Sequence, residues 1–174
     1  MKPQNYFYSK ALQLRADFQK ALENRAEANF LAGKHAEAAD DYQKLIAGGR
    51  ADVEFFQRAG ISKYQLKDHK AAAELLKQAN DKGAKDQDTY KMLGLSNAAL
   101  GNCADAVKHL SAAISLGATD KDVYTQAGLC QFQNKNYAEA VVALDGAVKA
   151  GASGKELFAA RGNAMYYQKN LDGA

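Results

Sequence analysis

The chain of 174 residues has one proline, Pro3, and it stands at the very start. After it, no proline interrupts a helix anywhere. There is no tryptophan, and there are only two cysteines, too few for a disulfide framework. Three histidines leave little material for a metal site. The net charge is +3, with Lys and Arg scattered among acidic residues, which is too weak and dispersed for a nucleic-acid surface. No apolar run approaches the roughly 18 residues a membrane span needs. The opening MKPQNYFYSK lacks the apolar core of a signal peptide, and this leaves the compartment open, cytoplasmic or periplasmic. What is present is a folded-protein balance: 47% hydrophobic and 25% charged residues, enough to build a core and against disorder.

The second observation is a period. Gly60, Gly94, Gly128 and Gly162 recur every 34 residues, as do Ala38, Ala72, Ala106, Ala140 and Ala174. Gly49, Gly83, Gly117 and Gly151 form a third series with the same step. A step of this size marks a stacked repeat array. From residue 19 the chain divides into units 19–52, 53–86, 87–120 and 121–154, with an incomplete unit 155–174. Each unit predicts two helices, A and B; in the third they run from Gln87 to Leu100 and from Cys103 to Leu116. The break between them falls at Gly33-Lys34, Lys67-Asp68, Gly101-Asn102, Lys135-Asn136 and Lys169-Asn170. The junctions Gly49–Asp52, Gly83–Asp86 and Gly117–Asp120 supply a left-handed glycine to end helix B and an aspartate to cap the next helix A. Residues 1–18 carry no turn signal. They predict a helical segment continuous with the first repeat helix, from about residue 6 to residue 32, and a break near Arg15 to Asp17 is the alternative.

The small residues predict close packing. A glycine in mid-helix costs about 1 kcal/mol against alanine, so something must offset it. The spacing points to the alanine twelve residues later on helix B, with Tyr42, Leu76, Leu110 and Leu144 packing onto the following helix A.

A 34-residue helix–turn–helix unit with this small-residue pair, and with an aromatic at Phe56, Tyr90, Tyr124 and Phe158, resembles the tetratricopeptide repeat. The resemblance covers residues 19 to 174. It departs from the family in lacking the proline that often ends the unit, and in having Leu22 where the first aromatic falls. It implies an all-α fold, a right-handed superhelical solenoid of antiparallel helix pairs. It also implies a concave groove lined by one stripe of helix A. Here that stripe carries Phe30; Gln57, Ile61 and Tyr64; Lys91 and Leu95; Thr125, Leu129 and Phe132; and Asn163 and Tyr166. This lining is apolar and aromatic with a few polar groups, suited to a peptide or a partner helix. Family members that clamp a terminal carboxylate use Asn at a place that holds Glu27, Ile61, Leu95, Leu129 and Asn163 here, so hydrophobic contact is expected instead.

Catalytic constellations do not stand out. His35 and His69 occupy one place in successive units, but equivalent places on stacked helices lie about 10 Å apart, and zinc needs its ligands within about 2.3 Å of one point. They read as half-buried helix-start residues, and His109 as a solvated one. Cys103 and Cys130 fall on neighbouring helices, where two buried thiols are the first expectation and a disulfide the alternative. The expectation is therefore a non-enzymatic scaffold for a protein or peptide partner. It uses no cofactor or metal, binds no nucleic acid and inserts into no membrane. Self-association through the incomplete C-terminal end and an accessory role in a larger protein are the alternatives.

Overall fold

The computed structural model describes residues 4–14 and 19–171, with side chains at 4–10 and 19–169. Among the described residues there are ten α-helices and no strand. They are α1 (Gln4–Leu14), α2 (Gln19–Leu31), α3 (His35–Ala47), α4 (Val53–Gln65), α5 (His69–Asp81), α6 (Gln87–Ala99), α7 (Cys103–Ser115), α8 (Lys121–Gln133), α9 (Tyr137–Lys149) and α10 (Lys155–Leu171). None is long and apolar enough to cross a membrane. The chain forms two compact units, Met1–Ala84 and Lys85–Ala174, each with its own packed interior.

The N-terminal segment is not continuous with the first repeat helix. Asn5 Nδ2 donates to Asn29 Oδ1 at 3.2 Å. Residues 24 apart in one helix would be separated by about 36 Å, so the chain folds back and α1 packs on α2. The break given as the alternative near Arg15 to Asp17, and Phe18, lie outside the described residues. The absence of Gly and Pro does not hold a helix together where folding back buries more surface.

From α2 to α9, helices of 13 residues alternate with tight turns. The turns inside and between the pairs are built alike. Gly83 at φ 113° donates to Asn80 O at 3.1 Å, and Ala84 N–H reaches back to Ala79 O at 2.9 Å. The same two bonds close α7 through Gly117 and Ala118, and α9 through Gly151 and Ala152. These are Schellman ends, and they satisfy carbonyls the helix leaves bare. Inside the pairs, Gly33, Lys67, Gly101 and Lys135 take the left-handed place, at φ 71°, 60°, 77° and 62°. The fifth break does not form at Lys169, because α10 runs on to Leu171. A left-handed lysine costs about 1–2 kcal/mol.

Capping is less uniform than the repeated aspartates predict. Asp86 accepts from Thr89 N at 3.0 Å and from Thr89 Oγ1 at 2.8 Å. Asp52 and Asp120 hold the N-cap place without that bond. Their carboxylates face cations instead, Arg50 Nε at 2.8 Å and Lys91 Nζ at 3.6 Å.

The glycines of α4, α6 and α8 face leucine rather than alanine. A Cβ placed on Gly60, Gly94 or Gly128 would lie 2.6, 2.7 or 2.5 Å from Cγ of Leu76, Leu110 or Leu144. Each glycine is thus a notch for a leucine that is fully buried, worth about 2 kcal/mol in burial alone. Ala72, Ala106 and Ala140 sit one turn nearer the hairpin and are fully buried where the helices close. The leucines therefore lock helix B onto its own helix A. The first unit's core gathers Tyr42, Leu45, Phe55, Phe56 and Leu75 among small alanines. The second unit's gathers Leu110, Val123, Leu144 and Leu157.

Cys103 and Cys130 are joined by a disulfide between the start of α7 and the last turn of α8, with Cα atoms 4.8 Å apart. This overturns the expectation of two free thiols. His109 is also not solvated. It is buried and stacked on Tyr90, ring centroids 6.3 Å apart.

Candidate functional site on the A helices

The stripe residues fall on α2, α4, α6, α8 and α10. In the first unit, Phe30, Gln57, Ile61 and Tyr64 are all half-buried. Phe30 lies under the Arg58 guanidinium, 5.2 Å from its ring centroid. Arg58 also pairs with Glu27 and, at 2.5 Å, with Glu54. Burial holds the Arg58 guanidinium below its ordinary pKa. This packed cation has no signal in the glycine and alanine series, which is why sequence reasoning did not include it. Below it, Arg25 grips Asp41 through two bonds of 2.7 and 2.6 Å. The hydrogen bond to Asp41 raises the Arg25 pKa. Tyr42 donates to Glu27 Oε2 at 2.8 Å, and burial, with Glu54, Glu23 and Asp41 nearby, pushes its phenol well above the usual range.

In the second unit, α8 contacts both α6 and α10, so the three stripes adjoin. Lys91, Leu95, Thr125, Leu129 and Phe132 are half-buried, while Asn163 and Tyr166 are exposed. Lys91 Nζ bridges Asp88 at 3.4 Å and Asp120 at 3.6 Å, fixing the charge beside Leu95. Thr125 Oγ1 donates to Lys121 O at 2.8 Å. Thr125 and Leu129 share a cleft of about 480 Å³ with Lys121, Lys155, Glu156 and Leu157. Phe132 belongs to an aromatic cluster with Tyr137 at 5.7 Å and Tyr167 at 6.4 Å, and Tyr137 stacks on Tyr167 at 5.1 Å. Tyr166 meets Tyr167 edge-on at 5.5 Å. Tyr137 and Tyr167 pack beside the stripe at Phe132, and the sequence reading did not include them. The signal was available: Phe30–His35, Tyr64–His69 and Phe132–Tyr137 all pair across the A–B turn at a step of five. In the repeat 87–120 that step joins Ala98 to Cys103, and the aromatic contact gives way to the disulfide.

The stripe offers an apolar, aromatic surface with hydroxyl and amide groups at its edges. Such a surface buries apolar side chains of a ligand and orients them through a few polar contacts. Among the described residues, no group of three or more His, Cys, Asp or Glu is placed to hold a metal ion.

A sequence model of the tetratricopeptide repeat matches residues 5–53 and 91–155. The fold is similar to that of solved structures at low identity. MamA superposes with a TM-score of 0.68 at 20% identity, over 84% of this chain and 85% of that one. YrrB, described as a TPR protein with an unusual peptide-binding site, gives 0.71 at 22% identity, over 95% and 81%. The C-terminal part of a TPR repeat-containing protein from Cytophaga hutchinsonii gives 0.60 at 20% identity, over 84% and 58%. A search of curated proteins found no match to the sequence.

Proposed function

The chain belongs to the tetratricopeptide-repeat family, and from that premise we propose that it binds a segment of a partner protein, extended or helical, along the stripe of α6, α8 and α10. The repeat architecture supports a protein-interaction scaffold. The peptide-binding site named for YrrB favours the same use of the fold, by analogy. The observation that carries the reading is the joined surface of α6, α8 and α10, where Leu95, Leu129, Phe132 and Tyr166 leave apolar area open beside Lys91, Thr125 and Asn163. In this reading the protein acts by holding its partner, without chemistry of its own.

The test is selection of peptides from a random display library on the immobilised chain. The selected peptides are then titrated against the chain and against Leu95→Lys and Leu129→Lys variants whose circular dichroism shows them folded. Enriched peptides rich in apolar residues, with affinity reduced at least tenfold in the variants, are expected. Peptides that bind both variants undiminished would move the site off the A helices and end the proposal.

A further inference from the structure

The 34-residue period puts a pair of side chains, one on helix A and one on helix B, at the same place of each repeat. In repeat 19–52 they are Arg25 and Asp41, joined by hydrogen bonds of 2.7 and 2.6 Å. In repeat 53–86 they are Ala59 and Leu75, and in repeat 87–120 they are Leu93 and His109, all of them buried. The His109 ring lies over that of Tyr90, with an angle of 22° between the planes. In repeat 121–154 the pair is Ala127 and Ala143, and Tyr124 takes the place of Tyr90. An alanine at 143 puts no ring over it. A cleft of about 490 Å³ opens there instead, between α7, α8 and α9. Tyr124, Ala127 and Ala143 line it together with Ile114 and Val142. The Tyr124 ring is seated against α9, since a Cβ on Gly146 would lie 2.6 Å from its Cδ1. This cleft shares no lining residue with the one at Thr125 and Leu129, and none of its residues is on α10.

The lining is mostly apolar, and its charge is one-sided. Glu139 lines the cleft, and no Lys or Arg does. Glu139 lies one turn before Ala143 on the same face of α9 and is exposed, so its carboxylate stands at the rim. The Ser115 hydroxyl, also at the cleft, donates its proton to Ser111 O at 2.9 Å and so offers an acceptor. We propose that this cleft binds a small aromatic amine, with its flat ring on Tyr124, in the place His109 takes in the preceding repeat, and its ammonium at Glu139. The ring leaves water for an apolar lining, and stacking on a tyrosine adds to that burial. The ammonium stays at the rim, where it keeps water and faces the carboxylate. An aromatic acid would bring like charge to Glu139. A puckered aliphatic ring would have no flat face to lay on Tyr124.

The probe is tryptamine, whose indole fluorescence stands apart from a chain without tryptophan. It is titrated against the full chain by fluorescence anisotropy. Saturable binding is expected. At least a tenfold loss is expected for Ala143→His, which supplies the ring from within, and for Glu139→Gln, which removes the charge at nearly constant size. Ala143→Leu, which copies Leu75, should lose binding likewise, so the result does not rest on one variant. Melting temperatures of the two filled variants should not fall. Indole-3-propionate keeps the ring and reverses the charge, and 2-cyclohexylethylamine, read by displacement of tryptamine, keeps the charge without the flat ring. Each should bind at least tenfold more weakly than tryptamine. Absence of saturable tryptamine binding, undiminished binding by the filled variants, or equal binding of either control compound overturns the proposal.

Discussion

Lys67 and Lys135 stand where the alternate repeats use Gly33 and Gly101, and all four take positive φ. A side chain in that region clashes with its own carbonyl, at about 1 kcal/mol or more. The lysines persist because leaving the left-handed place would undo the reach from Asp68 N to Lys63 O, at 3.0 Å, and from Asn136 N to Gln131 O, at 2.9 Å. Lys67→Gly should therefore raise stability by about 1 kcal/mol, less the entropy glycine adds to the unfolded chain. Gly101→Ala should lower it by a similar amount, both read from urea midpoints at unchanged slope. The turn positions were legible in the sequence, because Gly, Asn and Asp mark them. The lysines were legible only through the period that aligns them with glycines. The caps were half legible. Asp86 closes on Thr89, but Asp52 and Asp120 face Arg50 and Lys91. Which partner a carboxylate takes depends on cations that the local pattern does not mention.

Between helices, the question is what a glycine faces. Gly94 and Gly162 occupy equivalent places, but only Gly94 abuts a leucine. Replacing either with alanine gains about 1 kcal/mol of helix propensity. At Gly94 the new Cβ would lie 2.7 Å from Leu110 side-chain carbons and 3.0 Å from its backbone nitrogen. Overpacking of this kind costs about 1–3 kcal/mol, so Gly94→Ala should be net destabilising by about 1 kcal/mol. Gly162→Ala should stabilise by about 1 kcal/mol, and thermal unfolding of the two variants side by side checks the pair. The series of glycines disclosed a close approach, and the structure confirms one. It assigned the wrong partner, alanine for leucine, because spacing along the chain gives the face of a residue and not the height at which the neighbouring helix crosses it. The aromatic pairs across the A–B turn were missed for the same reason, since Phe132 and Tyr137 belong to different helices and different faces.

For the molecule as a whole, the disulfide is the feature that local reading left open. It joins residues 27 apart in the second unit, and closing a loop of that length is worth about 3 kcal/mol through the unfolded chain. Reduction, or Cys103→Ser, should lower the stability of that unit by about this amount and leave the first unit unchanged. Alkylation followed by mass spectrometry should find no labelled cysteine until reductant is added. The sequence by itself determined the all-helical class, the 34-residue repeat, and the bounds of the third repeat's two helices to within a residue. These follow from periodicity and turn chemistry, which are local. Tertiary structure decided that the first segment folds back on α2, that leucine and not alanine fills the notches at Gly60, Gly94 and Gly128, and that Cys103 meets Cys130. Each of these depends on where one helix crosses another, a distance set by the packing of many side chains at once and written at no single position of the chain.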